Sequence, residues 1–187
     1  ITQPEKSHIR SVDMGITNDK KVPAFALRAG VGLEAAMLEG TDRELKERYG
    51  IFAYIMGATQ ALHNVKEARY NLILDGEQVE CSGLTCLIAN AAYFGVPGLV
   101  LNPKVKIDDG LLDVFVIRKM DLIQLFSLAA TIVGGNELKD QALHWQVQSV
   151  TIESDPVQAT QADGEMWGES PVEIKAQKGA LKVIVPA

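Results

Sequence analysis

The chain has 187 residues, 47% hydrophobic and 22% charged, which is enough length and apolar content for one large globular domain or two small ones with a real core. A net charge of -6 excludes a protein that holds nucleic acid through a broad basic face. No apolar run approaches the roughly 20 residues of a membrane span, and no secretory leader opens the chain, so a cytoplasmic protein is expected.

The opening stretch, ITQPEKSHIRSVDMG, has no initiator Met and reads as part of something longer. In TDRE, Thr41 and Glu44 form a capping box. Leu45, Tyr49, Phe52, Ile55, Met56 and Leu62 follow at helical spacing, which predicts a helix over about 41–64. Gly50 and Gly57 inside it each cost about 1 kcal/mol against Ala, a cost that points to close packing or to a backbone approached by a partner. Arg43, Lys46 and Arg48 cluster there; pairing with acids on a solvated face and contact with an anion are both open.

Ala68, Tyr70, Leu72 and Leu74 then alternate with polar or exposed positions, Asp75-Gly76 follows, and QVECSG resumes; this pattern predicts a β-hairpin. Cys81 and Cys86 lack CxxC spacing and have no nearby His, so they read as buried thiols of a reducing compartment rather than a zinc site. TCLIANAAYFG and LLDVFVI are continuously apolar, as strands covered on both faces should be. Between them KVKIDDGLLD carries a second Asp-Gly pair, on its residues an Asx-type turn.

A second helix is predicted from the N-cap Asp121 to Gly134-Gly135, about 121–134. Its body, LIQLFSLAATIV, is apolar nearly all round, which implies deep burial or a face offered to lipid or to another domain. In HWQVQSVTIES the apolar phase shifts between Val147 and Val150, which predicts a β-bulge near Ser149. VEIKAQ and ALKVIVP read as a closing hairpin joined through Lys178-Gly179.

Before that hairpin stands a third Asp-Gly pair, in TQADGEMWGE. Its residues fit a hairpin with solvated acids. They also fit a site: the glycine lets the backbone turn sharply and presents Glu165 at a strand end. On an extended chain Asp163 would lie on the same side, and neighbouring acids raise one another's pKa, which suits a base. Trp167 fits a lipid-facing cleft or the core. His8, His63 and His144 show no ligand spacing and read as surface or rim residues. Strands dominate without βαβ alternation, which predicts a mainly β, β-sandwich-like single domain over 1–187 with two inserted helices.

Taken together, FALRAGVGLEAAM, LKERYGIFAY, LIANAAYFGVPGLVLNPKVKIDDGLLDVFVI and ADGE resemble, in order, the C-terminal domain of the soluble diacylglycerol kinase and sphingosine kinase family. The resemblance implies the substrate-side domain of an ATP-dependent lipid kinase, acting on a lipid hydroxyl peripherally at a membrane surface. It implies Glu165 as general base, with Asp163 beside it, and a structural Mg²⁺ held by the Asp109 carboxylate and the carbonyls of Lys106 and Leu111. Lys46 matches the lysine of the family's helix motif, where it would meet substrate phosphate or an anionic lipid surface. ATP would be bound by an N-terminal domain whose Gly-Gly-Asp-Gly-Thr motif this chain lacks, so the chain alone is expected to be inactive. An NAD kinase-like enzyme with a soluble acceptor and a non-catalytic β-sandwich binding module remain as alternatives. The identity of the lipid and the oligomeric state, a homodimer included, are left open.

Overall fold

A computed structural model describes residues 7–20, 22–32, 67–92, 101–118 and 142–186. Both predicted helices, with Lys46, His63 and the apolar segment 122–133, lie outside the described residues. Within them the chain forms two six-stranded antiparallel sheets, a β-sandwich-like domain as the strand-rich sequence predicts. With strands numbered in chain order, one sheet runs β2 (Ala24–Phe25), β1 (Ser7–Thr17), β12 (Val172–Pro186), β9 (Ser149–Asp155), β4 (Ala68–Leu74), β5 (Glu77–Gly83). The other runs β11 (Glu165–Glu169), β10 (Ala159–Ala162), β3 (Arg28–Gly32), β6 (Thr85–Ala89), β7 (Leu112–Ile117), β8 (Ala142–Val147). No helix among the described residues is long and apolar enough to cross a membrane.

The two sheets differ in the way their sequences announce. In β4 the alternating residues Ala68, Tyr70, Leu72 and Leu74 are buried while Arg69 and Ile73 face outward, so the first sheet is covered on one face only. Every residue of β6 and β7 is buried, so the second sheet is covered on both. Tyr70, Leu72, Ile152, Ile174 and Phe25 meet Val31, Ile88, Leu112 and Val114 in the core between them.

The chain changes sheets through very short corners. Leu84 alone separates β5 from β6, Gln148 alone separates β8 from β9, and Ala26-Leu27 separate β2 from β3. The expected bulge near Ser149 is one of these corners instead. Val147 and Val150 both point into the same core, but from opposite sheets, so the phase of the apolar pattern must change between them.

The closing hairpin is also corrected. β12 runs straight through Lys178-Gly179 because β1 offers a continuous partner on both sides, from Thr17↔Ile174 to Ser7↔Pro186. The extra residues are absorbed by a register shift opposite Asp13, where Gly179 takes a left-handed φ of 62° and donates its N–H to Asp13 Oδ1 at 2.7 Å. Beyond it β1 and β12 form a two-stranded ribbon with Ile9 opposite Ile184, 69% and 70% exposed.

Candidate active site

Two of the three Asp-Gly pairs are the same device. Asp75-Gly76 joins β4 to β5 with φ values of 50° and 93°; Asp163-Gly164 joins β10 to β11 with 47° and 90°. Consecutive positive φ values in a two-residue loop mark the type I′ turn, which Asp-Gly favours. A chain stepping between sheets leaves amides off either ladder, and buried or half-buried amides need acceptors. Each turn aspartate supplies them. Asp75 accepts from Gln148 N at 2.9 Å and Ser149 N at 2.7 Å, while its own N–H donates to Ser149 O at 3.0 Å. Asp163 accepts from Ala26 N (2.6 Å), Leu27 N (3.0 Å) and Arg28 N (2.9 Å), and its N–H donates to Arg28 O at 2.9 Å.

This changes the expected arrangement of the two acids. Spacing on an extended chain would set Asp163 and Glu165 side by side, but the turn falls between them, and the Asp163 carboxylate is given to the 26–28 corner. Glu165 opens β11, opposite Ala162 at the sheet's edge. It is exposed and its carboxylate has no partner among the described residues. Two residues on, a register shift in the β10–β11 pair turns Trp167 into the core, where it is 5% exposed; the cleft reading of Trp167 is not met.

The same corner is gripped from its other side. Asn90, wholly buried at the end of the β6 apolar run, donates through Nδ2 to Ala26 O at 2.7 Å and to Asp13 O at 2.8 Å. Its own N–H donates to Leu27 O at 2.9 Å. Asp13, 1% exposed, accepts from Gly110 N at 2.6 Å, and its N–H donates to Ile107 O at 2.8 Å. A chain of contacts thus runs from the Glu165 turn through the 26–28 corner, Asn90 and Asp13 to the 106–111 loop. Asp13 and Asn90 escaped the sequence reading. Their only signal was a polar side chain inside an apolar stretch, SVDMG and LIANAA.

In that loop Asp109 Oδ1 accepts from Leu111 N at 3.0 Å, the Asx turn the sequence predicts, and Oδ2 has no partner among the described residues. Lys106 and Leu111 belong to no strand, so no sheet ladder claims their carbonyls. One open carboxylate oxygen and two carbonyls make a hard, weakly charged donor set, which fits Mg²⁺ retaining several waters. No group of three or more His, Cys, Asp and Glu that could hold a metal occurs among the described residues. Asp108, next in line, pairs instead with Arg10 at 2.7 Å.

Elsewhere, His144 is more than a rim residue: its Nε2 lies 2.6 Å from buried Asp113 Oδ1 and its ring stacks on Phe115 at 4.3 Å. His8 is exposed as expected. Both cysteines are free. Burial pushes the Cys86 thiol far above its usual range, and also raises half-buried Cys81, against a lowering by Arg118.

Comparison with known proteins agrees with this fold. The chain is 31% identical over 183 residues to the uncharacterized protein sll0036 of Synechocystis sp., covering 94% of this chain and 41% of that protein. A protein of Staphylococcus saprophyticus named diacylglycerol kinase is 26% identical over 183 residues, covering 97% and 58%. The crystal structure of a diacylglycerol kinase from Bacillus anthracis str. Sterne matches with a TM-score of 0.65 at 18% identity, covering 94% of this chain and 53% of that one. The chain therefore spans between about two fifths and three fifths of the length of these proteins. Residues 28–185 match the model of the YegS C-terminal NAD kinase beta sandwich-like domain, and the chain belongs to that family.

Proposed function

We propose that this chain is the substrate-side domain of an ATP-dependent lipid kinase, with Glu165 as the general base. One observation carries the reading. The acid-bearing turn and the 106–111 loop are fastened to a single piece of backbone, the 26–28 corner, through Asp163 on one side and Asn90 with Asp13 on the other. The Asp75-Gly76-Glu77 turn has the same letters without that connection. The Staphylococcus saprophyticus relative's name points to the same chemistry.

In this reading Glu165 takes the proton of a lipid hydroxyl while the hydroxyl oxygen bonds to the γ-phosphorus of ATP and the bond from that phosphorus to the ADP oxygen breaks. Asp163 acts through position rather than by meeting substrate, because its oxygens are already engaged. Asp109, Lys106 and Leu111 would hold Mg²⁺, which supplies rigidity to the loop rather than chemistry. ATP would come from a nucleotide-binding domain outside this chain, and the protein would work in the cytoplasm, peripherally at a membrane.

The test is phosphate transfer from labelled ATP by the full-length protein against a panel of lipids and soluble nucleotides, with Glu165→Gln alongside. Transfer to a lipid that falls by about two orders of magnitude or more in the variant is expected. Equal rates would remove Glu165 from the chemistry, and transfer to a nucleotide alone would make the protein an NAD kinase-like enzyme.

A further inference from the structure

The Asp75 and Asp163 turns share sequence, dihedral angles and the capping of a corner, and they differ at the glycine amide. Gly164 N donates to Gln161 Oε1 at 3.1 Å, whereas the Gly76 amide has no partner among the described residues. The residue two before the turn is exposed Ile73 in one case and Gln161, 1% exposed, in the other. A type I′ turn needs only its strand pairing to close. Its second central amide, in a solvated loop, is served by water. Burying a primary amide costs free energy unless it is hydrogen-bonded, and on the sheet face away from the central core Gln161 Oε1 meets that cost by accepting from the turn itself.

We infer that Gln161 is a positioning residue that locks the Gly164 peptide and thereby fixes where Glu165 presents its carboxylate, an inference that rests on the proposed role of Glu165. The lock is complementary to Asp163. The aspartate fixes the first turn residue to the 26–28 corner, and Gln161 fixes the second to β10. Glu165 then leaves the turn from a backbone with both central residues tied. Proton abstraction tolerates little misplacement of the base, so loosening this peptide should lower turnover rather than substrate affinity.

The test uses the full-length protein and three measurements. Gln161→Met keeps the shape and removes the acceptor; hydrogen exchange at the Gly164 amide should quicken about tenfold or more, and unchanged exchange would overturn the lock without touching the role of Glu165. In lipid phosphorylation kcat should fall about 10- to 100-fold with KM for lipid and ATP within about twofold. In a Glu165→Gln background the same substitution should cost nothing further, since the base it positions is gone; an equal loss in both backgrounds overturns the positioning role. Should Gln161→Met fail to fold, the wild-type protein decides the lock: exchange at the Gly164 amide as fast as at the Gly76 amide, which has no such acceptor among the described residues, would overturn the inference equally. Wild-type activity in Glu165→Gln would sink the proposed base, and with it the positioning role, while leaving the Gly164 exchange result to stand alone.

Discussion

The twin turns allow the structural share of an aspartate to be measured away from the candidate site. Asp75→Ala removes the acceptor for Gln148 N, Ser149 N and Ser149 Oγ, contacts of 2.9, 2.7 and 3.2 Å. A hydrogen bond to an ionised acceptor contributes roughly 1.5–3 kcal/mol net, which the exposure of Asp75 lowers to about 1 kcal/mol each, because water can replace part of it. Alanine at a φ of 50° adds a backbone penalty of about 1 kcal/mol. Allowing for overlap among bonds to one carboxylate, the loss is about 3 kcal/mol. For a domain of this size that lowers Tm by about 6–12 °C. Asp75→Asn, which tolerates the left-handed conformation and keeps one oxygen, should lose about half as much. Thermal unfolding followed by circular dichroism reads both. A Tm within about 2 °C of wild type for Asp75→Ala would refute the idea that turn aspartates hold the corners. In the full-length protein, assayed well below Tm, Asp75→Asn should transfer phosphate at the wild-type rate, while Asp163→Asn should slow it at least tenfold.

A Cβ on Gly15 would sit 2.1 Å from the ring of Phe25, itself 1% exposed, so Gly15→Ala should cost about 3 kcal/mol by expelling or straining that ring, read as a urea midpoint shift. Trp167→Ala should lose about 3–5 kcal/mol by the same measure, because the side chain lies in the core; a loss below about 1 kcal/mol would place it back at a cleft. The raised Cys86 thiol binds its proton in the folded state at pH values where the unfolded thiol has lost it. Its stabilisation is therefore complete below the unfolded value of about 8.5 and fades as pH rises. Unfolding free energy should fall by up to about 1.4 kcal/mol per pH unit from this group between about pH 9 and 10, and Cys86→Ala should lose that part of the slope. Ile9→Thr and Ile184→Thr should shift stability by less than about 0.5 kcal/mol each, since both side chains are already 69–70% exposed.

How much the residues revealed on their own depends on whether a feature is local. The alternation through Tyr70, Leu72 and Leu74 and the unbroken apolar run Leu112–Ile117 each report which faces of a strand are covered, a property of one segment. Hairpins at Asp75-Gly76 and Asp163-Gly164 follow from residues that tolerate positive φ. Corners are harder. The phase shift around Gln148 is visible in the sequence, but whether it is a bulge or a change of sheet depends on which strands pair on either side of it, β7 with β8 and β4 and β12 with β9. Lys178-Gly179 looked like a turn because nothing in it reveals that β1, at the other end of the chain, pairs along both halves. For the same reason Asp13, Asn90 and Gln161 were overlooked: each matters through backbone groups it meets, and those leave no mark in the letters.

Leu84 and Gln148 each leave a single residue between a strand of one sheet and a strand of the other. Such stitches forbid the layers from opening independently, because a frayed β5 drags β6 and a frayed β8 drags β9. Sub-global unfolding normally follows seams where few covalent links cross. Here the seam between layers is crossed by the chain itself at closely spaced points. Slow-exchanging amides at the centres of β4 and β7 should therefore share one opening free energy and one denaturant slope. Partial unfolding would be confined to what lies outside the stitched region, such as the ribbon that carries Ile9 and Ile184.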